Sequence, residues 1–147
     1  MRSWRSTRSF RRPPQNVPAL QRAAAARSPQ AGEPVLPDTL FADSWRLEAG
    51  DEVVTARYFG PAHTGGDIAV HFEKANVVHL GDLVFNRMYP VTDKPGGVQV
   101  RSWIGVLETI LRSYPADALY VFGHGNPKFG ITGGRAELTL QRDFLTA

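Results

Sequence analysis

Residues 60–85 read GPAHTGGDIAVHFEKANVVHLGDLVF. Gly60-Pro61 breaks the chain, and residues 67–72 (DIAVHF) alternate apolar and polar side chains as a half-buried strand does. Lys74-Ala75-Asn76 turns the chain, and residues 77–80 form a second short strand that stops at Gly81-Asp82. Two residue types that ligate metals, His63 and Asp82, stand beside or close to glycines at strand ends. Backbone there can crowd an ion and then turn sharply away.

Working outward, residues 39–47 and 52–59 (EVVTARYF) read as two strands joined at Glu48-Ala49-Gly50-Asp51, a hairpin. A Pro- and Gly-rich loop follows residue 85. Residues 98–114 then show helical spacing, with Val100, Trp103, Ile104, Leu107, Ile110 and Leu111 on one face and Pro115 ending the helix. Residues 118–122 (ALYVF) are an unbroken apolar strand leading into Gly123-His124-Gly125, and residues 134–145 read as a last helix. Strands first, then helix–strand–helix, give the class α/β (α+β): one mixed sheet with covering helices.

A third ligand thus follows a strand in the same way. A lone His in a loop is ordinarily a polar surface residue, and Gly-Asp is a common turn. Together, in this order, His63, Asp82 and His124 are far more specific, because strand ends on one sheet edge are where such proteins place sites. Two imidazoles and a carboxylate suit zinc, and three protein ligands with an open position is the catalytic arrangement. The chain has 147 residues and no cysteine, so thiolate zinc, iron–sulfur clusters and disulfides are excluded. Its four histidines are His63, His71, His79 and His124. His71 and His79 lie within strands. At period two, His79 and Asp82 face opposite sides of the sheet, which argues against His79 as a ligand. Lys128 and Arg135, near the last motif, are candidates for contact with an anionic substrate, though such residues are more often solvated surface.

Charge is unevenly distributed. Residues 1–30 hold seven Arg and no acid, leaving ten basic residues against all fourteen acidic ones, a net of −4 over the rest. The pI of 9.6 describes a basic arm rather than a nucleic-acid-binding body, so a nucleic-acid partner is not expected. Residues 1–37, rich in Pro, Ser and Arg, are expected to be a disordered arm, with the domain over residues 38–147. The arm has the make-up of an organelle transit peptide. Arg11-Arg12 suggests twin-arginine export, but Pro13-Pro14 follows without an apolar region. The plain alternative is upstream sequence translated from a truncated gene or a misplaced start. No signal peptide is clear and no apolar run is long enough to span a bilayer, so localisation is left at a cytoplasmic default with no membrane partner.

The segments GPAHTGGD, VVHLGDLVF and VFGHG, with a helix between the second and third, resemble the second half of the metallo-β-lactamase-fold hydrolases, from about Leu36 to the C-terminus. The resemblance implies about half of a four-layer αββα sandwich. It implies that His63 completes the first metal's three-imidazole set, that Asp82 bridges two metals, and that His124 serves the second. Asp67 matches a position that orients a ligand or the site loop. One or two zinc ions would activate a water to attack an ester, amide or thioester of a small-molecule substrate.

The early His-x-His-x-Asp-His motif of that family is absent, since no His precedes His63. The metal set is therefore incomplete, and the proton-shuttle aspartate is missing too. The expectation is a truncated zinc hydrolase of weak or no activity. The alternative is a non-catalytic half-domain binding a partner, or a second copy, through a sheet face left exposed.

Overall fold

The computed structural model describes residues 40–147 apart from Asp93. The expected disordered arm, residues 1–37, lies outside the described residues. Every element below lies within residues 43–147. Six strands form one sheet in chain order: β1 Ser44–Ala49, β2 Glu52–Tyr58, β3 Ile68–Phe72, β4 Val77–Asn86, β5 Leu119–Gly125 and β6 Thr132–Gly133. Neighbours are antiparallel except β4 and β5, which run parallel because helix α1 (Val100–Ser113) carries the chain across between them. Helix α2 (Arg135–Thr146) closes the chain. The sheet is mixed and the class is α+β, as expected.

Register decides which side chains meet the helices. Thr55, His71, Val78 and Tyr120 lie side by side across four strands. Ala69, Leu80 and Phe122 join Val78 and Tyr120 in a buried core completed by Trp103, Val106, Leu107, Ile110, Leu111 and Leu138 from the helices. The buried positions of α1 step by three and four residues, the spacing of one helical face. Fourteen residues are marginal as an isolated helix. Burial of each large side chain, worth about 1.5–3 kcal/mol, is what holds this one. The face is rotated slightly from expectation: Val106 is buried, whereas Val100 is exposed.

The helix ends are satisfied locally. Glu137 accepts from the Gly134 N–H at the start of α2 (2.9 Å), and the Arg135 guanidinium donates to the Leu111 carbonyl near the end of α1. Arg135 is therefore engaged in holding the two helices together and is no longer a candidate for substrate contact. At the far end of α1, the Tyr114 ring packs edge-on against Phe59 and His71. Its hydroxyl is buried without a hydrogen-bond partner, and burial pushes its pKa up to about 12.

The main departure from the sequence reading is β4. It does not stop at Gly81-Asp82 but runs on to Asn86. Two register shifts against β5, between His79 and Gly81 and again between Gly81 and Phe85, insert extra residues into β4. Gly81 makes this possible with φ +51, a conformation that residues bearing a Cβ rarely adopt. Backbone groups in the irregular stretch find side-chain partners: the buried Trp103 Nε1–H donates to the Leu83 carbonyl (2.9 Å), and the Phe85 N–H donates to Gln141 Oε1 (3.3 Å).

Candidate metal centre

His63 sits in the loop between β2 and β3, the only one of the three expected ligands that lies outside a strand. Asp82 lies within β4 and His124 within β5, so the expectation that each follows its strand is corrected for both. The reason is the bulge, which lets β4 continue past Asp82 and pair Phe85 with His124. It also breaks the period-two argument used to place His79. That ring is engaged locally, accepting from the Gly81 N–H through Nδ1 (3.2 Å).

The His63 loop is tied down at several points. Ala62 is fully buried, its carbonyl accepts from the Gln99 N–H (2.9 Å), and its N–H donates to the Thr64 carbonyl (2.9 Å). The Gly65 N–H donates to the Gly96 carbonyl (3.0 Å). Asp67 closes the loop by accepting from the Thr64 N–H through Oδ2 (2.5 Å). Its other oxygen, Oδ1, lies 3.9 Å from His63 Nδ1. Phe85 and Trp103 pack on the His63 ring, with centroids 5.2 Å and 5.5 Å away.

The structure brings His63, Asp82 and His124 together as a chain. Asp82 Oδ2 is 4.0 Å from His63 Nδ1, and Asp82 Oδ1 is 3.4 Å from His124 Nε2. Each carboxylate oxygen thus addresses a different imidazole. Phe85 also stacks flat on His124, with ring centroids 4.8 Å apart and planes 17° apart, so one phenyl ring contacts both histidines. The His63 ring is mostly buried, whereas the Asp82 and His124 side chains are 39% and 52% exposed, so the chain of groups opens to solvent at one end.

Gly123 is essential to this geometry. A Cβ there would lie 1.9 Å from Asp82 Oδ1 and 2.8 Å from the Gly81 carbonyl carbon. Only a bare backbone on β5 lets the Asp82 carboxylate lie where it does. The sequence marks Gly123 only as a glycine flanking His124, and Phe85 falls beyond the strand expected to stop at Gly81-Asp82. Phe85 could not have been singled out within the apolar run Leu83–Phe85 without the register.

Donor chemistry and geometry together define what this centre can hold. His63 Nδ1 is buried and has no hydrogen-bond partner, although two carboxylates stand about it at 3.9 Å and 4.0 Å. Such an atom calls for a proton or a cation. Among the described residues, however, no three His, Asp or Glu side chains are disposed to enclose one ion. What the structure places together is two pairs that share Asp82, each of one imidazole and one carboxylate oxygen, donor types that divalent zinc accepts.

The comparisons agree with this picture of the fold. The model of the metallo-beta-lactamase superfamily matches residues 4–124, most of the chain, so the chain belongs to that superfamily. The match begins at residue 4, not near Leu36 where the resemblance was placed. No curated protein matches. Among solved structures, a metallo-beta-lactamase from Pontibacter korlensis is 20% identical with a TM-score of 0.65, over 86% of this chain and 55% of that one. TMB-1 is 16% identical with a TM-score of 0.61, over 87% and 54%, and DIM-1 metallo-beta-lactamase is 18% identical with a TM-score of 0.60, over 84% and 53%. The chain spans about half the length of these enzymes.

Proposed function

We propose that the chain is a zinc-dependent hydrolase of its superfamily, acting on an ester, amide or thioester, and that in this form it holds zinc weakly and turns over little above background. One observation carries the reading: Asp82 stands between two imidazoles, one oxygen facing each. His63 with Asp82 Oδ2 would hold one ion, and His124 with Asp82 Oδ1 a second. A zinc ion bound there would supply a polarised carbonyl and a water whose pKa falls to about 7.

The chain's own residues do the rest. Asp67 fixes the loop that carries His63, Phe85 and Trp103 exclude water from the His63 ring, and Gly123 leaves room for the Asp82 carboxylate. Weak retention follows from ligand count, since a catalytic zinc takes about three protein ligands and each half-site offers two. The fold does not choose among β-lactam, lactone and thioester substrates.

The test is zinc-dependent hydrolysis of a thioester, a lactone and a β-lactam by the full chain beside Asp82→Ala and His124→Ala. Slow zinc-dependent turnover lost in both variants is expected. Turnover identical in all three proteins would remove the centre from the chemistry. Tight stoichiometric zinc with rapid turnover would overturn the weak-site part of the reading.

A further inference from the structure

One of the two buried residues of α2 is polar. Leu138 fills the core, whereas Gln141, only 4% exposed, sets a carboxamide beneath β4. Its Nε2 has no hydrogen-bond partner among the described residues. A buried donor left unpaired carries a desolvation penalty that leucine or methionine at this position would avoid. The residue therefore calls for a reason beyond packing.

The other end of the carboxamide supplies one. Gln141 Oε1 accepts from the Phe85 N–H (3.3 Å). Strand β3 pairs with β4 only as far as His79, and register against β5 is broken between Gly81 and Phe85. Backbone groups in this stretch turn instead to the helices: the Leu83 carbonyl to Trp103 on α1, the Phe85 N–H to Gln141 on α2. Asn86, the next residue, is buried and donates through Nδ2 to the Gly130 carbonyl (2.9 Å), so the chain is held on both sides of the Phe85 ring. That ring is the one that meets both imidazoles, tilted on His63 at 5.2 Å and flat on His124 at 4.8 Å.

We propose that Gln141 is a positioning residue for the candidate centre. Its carboxamide fixes the Phe85 backbone at the bulge. The Phe85 ring then fixes the planes of the His63 and His124 imidazoles, and with them the aim of the ring nitrogens at Asp82. The consequence for zinc rests on the hydrolase reading; the placement of the rings does not.

The experiment is proton NMR of the imidazole signals of the full chain, zinc-free with a chelator present. A phenyl ring lying flat on His124 displaces its ring protons upfield, and Phe85→Leu gives their positions without it. Gln141→Met keeps the length of the side chain but not its acceptor. It should move the His124 signals most of the way toward the Phe85→Leu positions. Gln141→Glu keeps an oxygen acceptor and gives up only the nitrogen without a partner, so it should restore the wild-type positions. His71, packed on Tyr114 at the far end of α1, should keep its signals throughout and report an intact fold. Leu138→Ala weakens the same helix without altering the carboxamide, so it should lower Tm and leave His124 in place. His124 signals unmoved in Gln141→Met, or moved equally in Leu138→Ala, would overturn the proposal. Should Gln141→Met lose the His71 signals as well, hydrogen exchange at the Phe85 amide of the wild type decides. Protection matching the paired amides of β4 supports the bond, and exchange as fast as in an exposed loop overturns it. Zinc affinity should fall about tenfold in Gln141→Met, as when a partner behind a ligand is lost. Displaced His124 signals with zinc bound by none of the proteins would leave the positioning role standing and remove the zinc reading. Zinc binding with unmoved signals would do the reverse.

Discussion

Replacing Gly123 with alanine adds one methyl group where β5 passes Asp82. The new Cβ would stand 1.9 Å from Asp82 Oδ1, 2.8 Å from the Gly81 carbonyl carbon and 2.9 Å from the Asp82 nitrogen. The carboxylate can rotate away, but the two backbone atoms cannot, so β4 and β5 must also part slightly. Such overpacking costs about 1–3 kcal/mol. In a domain of this size each kcal/mol lowers Tm by about 4–8 °C. The rotated carboxylate also leaves its place between His63 and His124, so zinc affinity should fall together with stability.

Thermal melting and zinc competition titration on wild type, Gly123→Ala, Asp82→Ala and the double variant separate the two effects. Part of the Gly123→Ala penalty should vanish in the Asp82→Ala background, because the closest clash is with that side chain. An unchanged Tm and zinc affinity in Gly123→Ala, or fully additive penalties, would refute the reasoning.

Two further outcomes follow from buried polar atoms. Tyr114→Phe removes a hydroxyl with no partner, so melting at pH 7 should be unchanged or slightly higher, and a fall of more than about 4 °C would show a missing bond. The Tyr114 phenol ionises near 10 when unfolded and near 12 in the fold. The neutral phenol leaves stability flat below pH 10, and as pH rises from 10 to 12 the unfolded chain ionises first and the fold loses about 2–3 kcal/mol. Denaturant melts from pH 9 to 12 should show this slope in the wild type and a shallower one in Tyr114→Phe. Trp103→Phe strips the Leu83 carbonyl of the indole donor and should destabilise by about 1–3 kcal/mol in urea melts, whereas a loss below about 0.5 kcal/mol would show the bond to be dispensable.

Much of this was legible in the residues. Alternation in DIAVHF, the 3–4 spacing from Trp103 to Leu111 and the apolar run ending at Phe122 gave strand, helix and strand, because each pattern reports which side meets the core. The placing of His63 in a loop is legible too, since Gly60-Pro61 ends the strand before it and the glycines beside it let the chain turn. What could not be read was the continuation of β4. Gly81-Asp82 looks like a stop, and only pairing with β5 shows that Gly81 is a bulge and that residues 83–86 remain in the sheet. That pairing is non-local, as are the demands it creates on Trp103 and Gln141, which local pattern assigned to helix packing or left aside. The two-residue strand β6 was equally hidden, because Thr132-Gly133 carries no alternation to detect.

The central claim is that His63 and His124, joined through Asp82, are where this chain meets zinc. Long-range proton–nitrogen correlation spectra of the four imidazoles during zinc addition test it most directly. The account predicts that the ring nitrogens of His63 and His124 shift progressively and together, that His71 and His79 stay in place, and that Asp82→Ala abolishes the response. Shifts confined to His71 or His79, or a His124 response that Asp82→Ala leaves intact, would contradict it.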